Sequence, residues 1–309
     1  MNAAKTRKLG WIGTGRMGFE MAKRLAKGGC DIAVWNRTRA KAESLAEDGA
    51  KIVDGLTDLA DCDIVFCMVS TYDDVKEVIA GPKGLLSTSS GPKMVVECSS
   101  ISLEGSAELR KILGARGVEL LSAPVSGNAK VIKAGKLTFV VSGPKAAYDE
   151  AAPYLAMMGQ GSSYVGEGEL SRIVKICHNV MLGVVTQCMA EVTVLAEKAG
   201  VPRHAFLDFL NKSVMGSTFT RYKTPAFVNL DFHVTFTPYL LRKDLDLGLE
   251  AGRRFEVPMP LASITRDLIQ SMMGKGMTEE DFSTLLVQQA QASGLKLKPE
   301  SVAVGDGLT

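Results

Sequence analysis

The chain has 309 residues, 46% of them hydrophobic and 23% charged, with 36 basic against 34 acidic side chains and a formal net charge of +2. That length accommodates two domains with buried cores, and the composition excludes disordered, collagenous and mucin-like classes. The near-neutral balance leaves no concentrated basic stripe of the kind that binds nucleic acid or an anionic membrane, so neither partner is expected.

Residues 1–8 are a short polar lead-in without an apolar run, so no secretory signal is expected. The first half of the chain then alternates apolar runs with amphipathic stretches. Runs at 9–12, 31–35, 64–69, 94–97 and 118–121 read as buried strands. Helices are expected over 16–27, 39–47, 73–79 and 103–115, then a strand over 137–142 and a helix over 144–157. Buried strands separated by helices indicate βαβ units and a mostly parallel sheet with helices on both faces.

Between the first strand and first helix lies Gly13-Thr14-Gly15-Arg16-Met17-Gly18, a G-x-G-x-x-G turn in the strand-to-helix context that makes the pattern informative. Gly13 permits the tight turn, Gly15 lets the backbone approach a pyrophosphate, and Gly18 permits close helix–strand packing. The amides of Thr14, Arg16 and Met17 at the helix start then face an anion. This gives a Rossmann-type NAD(P)-binding domain over residues 1–168. The second strand ends in Asn36-Arg37-Thr38, with Asn36 placed 23 residues past Gly13. An NAD-preferring site has a carboxylate there to accept from the ribose hydroxyl. Arg37 and Thr38 can instead donate to a 2′-phosphate, so NADP is the expected cofactor and NAD the alternative. Val69 and Ser70 end the 64–69 strand, where ligands collect in open α/β sheets.

Beyond Gly168 the texture changes. Residues 169–199 contain no Pro and one Gly, and they read as one helix on the order of 45 Å long. Further helices are expected over 202–212, 238–254, 260–274 and 278–292, each opened by Pro or Thr near its start. Residues 169–309 therefore read as a long connecting helix and an all-α domain for substrate binding and oligomerisation, with residues 298–309 a loose tail. Met259, Met272, Met273 and Met277 suggest a subunit interface, with core packing as the alternative reading, and a homodimer or homotetramer is expected. The six cysteines form no C-x-x-C pair and no His cluster accompanies them, so no metal site is expected and a reducing, cytoplasmic compartment fits best. The apolar stretches read as too short or too interrupted to span a membrane.

On the long helix, Lys175, His178 and Asn179 stand at i, i+3 and i+4 and share one face. Their neighbours Ile173, Val174, Ile176, Val180 and Met181 are apolar, a setting that desolvates a lysine and suits it to proton transfer. Upstream, Ser126, Gly127 and Asn128 lie in Ser122-Ala123-Pro124-Val125-Ser126-Gly127-Asn128, which by itself reads as a turn between strand and hairpin, although its hydroxyl and backbone amides can hold a carboxylate.

With the glycine turn, this loop, the 175–179 segment and Lys243-Asp244 in order, the chain resembles the β-hydroxyacid dehydrogenase family. The resemblance implies NAD(P)-dependent hydride transfer between a small carboxylate-bearing hydroxy acid and its semialdehyde or keto acid. It makes Lys175 the catalytic lysine, with Asn179 orienting it or the substrate. It also puts Ser126, Gly127 and Asn128 at the substrate, and Ser100 and Lys243 near the cofactor. Three departures stand out. Ser122 and Asn128 replace the family's usual Asp and Gly, and Lys175 stands seven positions past Gly168 where four are usual, suggesting an extra helical turn. The third, His178-Asn179 in place of Asn-Asn, resembles 6-phosphogluconate dehydrogenase, although Leu182 occupies the position of that enzyme's glutamate. His178 thus reads either as a donor to a substrate hydroxyl or as a structural histidine. Two alternatives follow: a sugar-acid dehydrogenase, and a non-catalytic nucleotide-binding scaffold. Phe232 and Phe236 read as pocket lining or core.

Overall fold

The computed structural model describes residues 7–308; the first six residues of the polar lead-in and the last residue of the tail lie outside the described residues. The chain divides into two compact units, Met1–Lys175 and Ile176–Thr309.

The first unit opens with strand β1 (Lys8–Ile12), helix α1 (Arg16–Lys27), β2 (Asp31–Trp35), β3 (Lys51–Ile52) and β4 (Ile64–Cys67). Helix α2 (Tyr72–Ala80), β5 (Met94–Glu97), α3 (Leu103–Gly114) and β6 (Glu119–Ser122) follow. All six strands pair in parallel, in the order β3-β2-β1-β4-β5-β6. Both faces are apolar because side chains alternate along each strand. Trp11, Ile32, Val34, Phe66 and Val96 pack with α1 on one face, while Ile12, Val65, Cys67 and Val95 pack toward α2 and α3 on the other. Burial on both faces turns alternation into the continuous apolar runs seen in the sequence. The chain reverses its direction of winding at β1, and the carboxyl ends of β1 and β4 there are where an open sheet of this kind accepts a ligand.

The strand expected over 137–142 belongs to a second, three-stranded sheet, whose other two strands the sequence reading did not include. This sheet joins β7 (Val125–Ser126), β8 (Thr138–Val141) and β9 (Gly161–Tyr164), with α4 (Ala129–Lys133) and α5 (Lys145–Met158) between them. Residues 39–47, expected as one helix, form two 3-10 turns at Arg39–Lys41 and Glu43–Asp48. Only Ala42 and Leu45 of that stretch reach the core, too little packing to hold a longer helix.

Helix α6 (Leu170–Lys198) begins in the first unit and continues through the second. Contrary to the sequence expectation, its length and composition alone would allow a membrane crossing, and half of its most apolar window is buried within the protein. The second unit adds α7 (Arg203–Lys212), α8 (Thr218–Asn229), α9 (Pro238–Arg254), α10 (Pro260–Gly274) and α11 (Leu285–Ala292). Helix α8 was not expected, since it carries Pro225 in its interior and proline there removes a backbone hydrogen bond. The last helix starts later than the pattern suggested because Asp281 caps Ser283 and ties down Thr235 and Phe236.

Two further expectations are corrected here. The methionine stripe is core: Met272 is fully buried, and Met259, Met273 and Met277 pack against the same cluster. Phe232 and Phe236 belong to it too, with Phe236 edge-on to Phe282 at 5.9 Å. The tail is not loose. Glu300 accepts from the backbone N–H groups of Arg203 and His204 at 2.7 and 2.9 Å. The buried Arg203 guanidinium donates to the carbonyls of Phe227, Val228 and Lys298.

Candidate active site

The turn after β1 is built for an anion. Gly13 has φ +97°, and a Cβ there would meet the Met68 carbonyl oxygen at 2.3 Å. A Cβ on Gly18 would meet the Gly13 carbonyl oxygen at 2.1 Å, so α1 packs directly on the turn. Gly15, by contrast, is exposed, and a Cβ there would meet nothing within 4 Å. Gly15 is the N-cap of α1, no side chain caps the helix, and its first turn has no acidic residue. The amides of Arg16, Met17 and Gly18 thus open the helix with its positive end uncovered. Beside them the Thr14 hydroxyl is buried without a hydrogen-bond partner. An open cradle, uncapped amides and an orphaned hydroxyl fit a dinucleotide pyrophosphate.

Asn36 braces this turn. Its Oδ1 accepts from the Thr14 N–H at 2.8 Å and its Nδ2 donates to the Thr38 carbonyl at 2.8 Å. Both ends of the amide are therefore committed within the protein, and the outward-facing groups at the β2 end are Arg37 and Thr38, both exposed. Arg37 stands 3.5 Å from Asp74, whose other oxygen caps the start of α2 at Thr71. Its side chain is 77% exposed, so this pair leaves the guanidinium accessible and adds little stability.

At the ends of β4 and β5, Ser70 and Ser100 are exposed and Val69 is half-buried. The Val69 N–H donates to Ser99 Oγ at 3.0 Å, and the Ser99 N–H donates to Glu97 Oε1 at 2.6 Å. Cys67 and Cys98 nearby are fully buried; burial first, then the Glu97 carboxylate, pushes both thiols well up, so neither serves as a nucleophile.

Glu97 meets Arg172, on the first turn of α6. The Arg172 Nη2 donates to Glu97 Oε2, Nη1 to the Ser99 carbonyl at 2.6 Å and Nε to Ser106 Oγ at 3.3 Å. Ser106 and Ser122 share a hydroxyl–hydroxyl bond of 2.9 Å, and Ser122 Oγ reaches Glu169 Oε2 at 3.4 Å. Glu169 in turn accepts from Arg110 Nε at 2.7 Å. Lys175 lies one helical turn beyond Arg172 and is half-buried. The apolar enclosure expected around it is partial, because Val174 is 40% and Met181 67% exposed.

In the expected substrate loop, Ser126 ends β7 half-buried, Gly127 is exposed, and Asn128 is the N-cap of α4. The Asn128 Oδ1 accepts from the Val131 N–H at 3.1 Å, so its oxygen serves the helix.

The second unit holds the remaining residues. Asn179 is buried on α6, and its Nδ2 donates to Asp244 Oδ2 on α9 at 2.5 Å. Its Oδ1 lies 2.9 Å from His178 Nδ1, so the exposed imidazole carries its proton on that nitrogen. Lys243 pairs with the other Asp244 oxygen at 3.3 Å. One carboxylate thus braces both the asparagine and the lysine.

Residues 8–168 match the model of the NAD-binding domain of 6-phosphogluconate dehydrogenase, and residues 169–288 match that described as NAD-binding of NADP-dependent 3-hydroxyisobutyrate dehydrogenase. The 2-(hydroxymethyl)glutarate dehydrogenase of Eubacterium barkeri is 30% identical over 295 residues, 95% of this chain and 98% of that protein. The chain belongs to the β-hydroxyacid dehydrogenase family. Glyoxylate/succinic semialdehyde reductase 2, chloroplastic, of Arabidopsis thaliana is also similar, at 29% identity over 282 residues, 91% of this chain and 79% of that protein. The crystal structure of 3-hydroxyisobutyrate dehydrogenase from Salmonella typhimurium shares the fold with a TM-score of 0.79 at 24% identity, covering 91% and 99% of the two chains. As a β-hydroxyacid dehydrogenase, this protein is an NAD(P)-dependent oxidoreductase acting on CH–OH groups.

Several side chains around the β-hydroxyacid dehydrogenase site were not singled out from sequence, chiefly Glu97, Ser99, Glu169 and Arg172. Nothing local marks them, because an arginine in the first turn of a helix ordinarily reads as solvated surface. One signal did exist. The two family departures at Ser122 and around Gly168 are partners in space, since Glu169 reaches the Ser122 hydroxyl.

Proposed function

We propose that the protein is an NADP(H)-dependent reductase–dehydrogenase that interconverts a small 3-hydroxy or 2-hydroxy acid and its semialdehyde or keto acid. The observation that carries this reading is the open, uncapped cradle at Gly15 in the same compact unit as Lys175. The exposed Arg37 at the β2 end supports NADP, as does the absence of a carboxylate at position 36.

The bound nicotinamide supplies or accepts the hydride at the substrate carbon. The Lys175 ammonium gives its proton to the carbonyl oxygen as the carbon is reduced, and in the opposite direction the neutral amine takes the hydroxyl proton. The Ser126 hydroxyl and adjacent amides hold the substrate carboxylate by charge-assisted bonds. Asn179, fixed by Asp244, orients the polar face of α6. The relatives act, by name, on glyoxylate, succinic semialdehyde and 2-(hydroxymethyl)glutarate, which makes short carboxylate-bearing aldehydes the first substrates to try.

The test is nicotinamide absorbance with NADPH and NADH against glyoxylate and against succinic, methylmalonate and tartronate semialdehydes. Turnover preferring NADPH is the expected result; failure to bind either cofactor would overturn the reading. An exposed, Asn179-oriented His178 favours sugar acids as the second substrate class, which a silent aldehyde panel with intact NADPH binding would select. A homo-oligomer is part of the same proposal, supported by exposed Phe209, Leu195, Leu261 and Ile264 on the second unit, each at least 61% accessible. Six cysteines outside any disulfide, four of them buried, support a reducing compartment such as the cytoplasm.

A further inference from the structure

The buried pair Glu97–Arg172 sits where no substrate or cofactor role has been assigned, yet it connects the elements on which such roles depend. Arg172 is 2% exposed and Glu97 is fully buried. Removing two charges from water this completely is expensive, and apolar side chains of similar volume commonly give equal or better stability. What such a pair supplies is geometry, because the guanidinium is a rigid planar fork whose donors fix direction as well as distance.

Here each donor is used on a different element. One bonds Glu97 at the end of β5, one the Ser99 carbonyl just beyond it, and one the Ser106 hydroxyl on α3. Glu97 and Ser99 pass the constraint to the Val69 amide after β4. Ser106 passes it through Ser122 to Glu169, immediately before α6. The network therefore closes on itself around the first turn of α6. Lys175 is the next turn of that helix, a rise of about 4.5 Å from Arg172.

We infer that Arg172 and Glu97 are positioning residues that set the axial and rotational place of α6, and so of the Lys175 amine, against the loops after β4 and β5. This rests on the reading of Lys175 as the proton donor. An error of about 1 Å in such a group can lower a rate about 10²-fold.

The decisive variant is the double apolar replacement Glu97→Met with Arg172→Met, compared with wild type, Arg172→Lys, Glu97→Gln and Lys175→Ala. Three quantities are read: kcat for NADPH-dependent reduction of glyoxylate, the NADPH dissociation constant by fluorescence, and the rate of Lys175 acetylation by acetic anhydride mapped by mass spectrometry. For a positioning role, the double variant folds with an unchanged melting temperature and binds NADPH within about 3-fold of wild type. Its kcat falls about 10–100-fold, and Lys175 acetylation changes at least about 3-fold; Arg172→Lys recovers part of the loss. A folded double variant with wild-type kcat, or with unchanged Lys175 acetylation, would overturn the inference and leave the pair a purely structural contact. Should the double variant not fold, Glu97→Gln and Arg172→Lys are judged by the same two criteria. Full activity in Lys175→Ala would instead sink the lysine reading, and the acetylation rate would still judge the positioning claim separately.

Discussion

Three glycines in one turn allow structure and ligand binding to be separated by the same substitution. In Gly18→Ala the added carbon would sit 2.1 Å from the Gly13 carbonyl oxygen, a backbone atom that cannot swing away. Overpacking of this kind costs about 1–3 kcal/mol, and the gain from alanine's helix propensity offsets less than about 1 kcal/mol of it. Gly13→Ala adds a left-handed backbone penalty of about 1–2 kcal/mol to a 2.3 Å approach to the Met68 carbonyl, so about 2–5 kcal/mol is expected. Gly15→Ala meets nothing within 4 Å and its φ of −67° suits any residue, so its stability should stay within about 1 kcal/mol of wild type. The same methyl group nevertheless stands where the pyrophosphate must approach, and a clash of about 1–3 kcal/mol there weakens NADPH by about 5–150-fold. The assay pairs thermal unfolding, with about 2–4 °C expected per kcal/mol for a unit of this size, with fluorescence titration of NADPH. Gly15→Ala binding NADPH as wild type does, or Gly18→Ala melting with wild type, would refute the division of roles.

Other outcomes follow from the same geometry. Lys175→Ala should lower kcat about 10²–10⁴-fold with NADPH affinity retained, measured by steady-state kinetics beside direct titration; an alanine variant that turns over normally removes the lysine from the mechanism. Arg37→Ala should weaken NADPH about 10–100-fold, the worth of one charge-assisted contact of about 1.5–3 kcal/mol, and leave NADH within about 2-fold; equal effects on both cofactors would place Arg37 away from the 2′-phosphate. Acid should loosen the second unit. Burial raises the pKa of Asp281 and Glu300, but the Lys223 charge and hydrogen bonds on Asp281, and the His204 and Arg203 hydrogen bonds on Glu300, outweigh it and hold both below their ordinary 3.8 and 4.5. Groups depressed in this way stabilise the fold above the ordinary carboxylate range and lose that contribution as pH falls through their folded values. The melting-temperature gap between wild type and Glu300→Gln should therefore be full at pH 7 and close as the pH drops below 4.5; a gap that widens in acid would contradict the assignment.

Features carried by local pattern were legible from the amino acids. The strands at Asp31–Trp35 and Met94–Glu97 and the helix at Arg16–Lys27 coincide with their apolar runs, because burial on both sheet faces writes itself into consecutive residues. The glycine turn was legible because Gly13 and Gly18 answer steric demands of the turn while Gly15 leaves the approach to it clear. Features that depend on distant partners were not. Strand β7 has only two residues, β9 reads Gly-Ser-Ser-Tyr without an apolar run, and α8 hides behind Pro225. Residues 298–308 look like a tail in composition, but the Lys298 carbonyl and the Glu300 carboxylate satisfy donors on Arg203 and His204. Asn128 and Asn36 were singled out for ligands, and in the fold the Asn128 Oδ1 also caps α4 while the Asn36 amide also braces the glycine turn. Arg172 and Glu97 left no trace at all, since only the folded chain brings them together across 75 positions.

The double tie of Asn36 also bears on how this enzyme could be redesigned. Engineers who wish to change nucleotide preference usually begin by placing a carboxylate at the end of the second strand. Here an aspartate would keep the bond from the Thr14 amide through one oxygen. The other oxygen would face the Thr38 carbonyl across the 2.8 Å now spanned by an N–H donor, two like partial charges in contact. The loop bearing Arg37 and Thr38 would have to rearrange to relieve it. Selectivity and the shape of the pyrophosphate turn are therefore mechanically linked through one amide, and a successful exchange must alter positions 36 to 38 as a block.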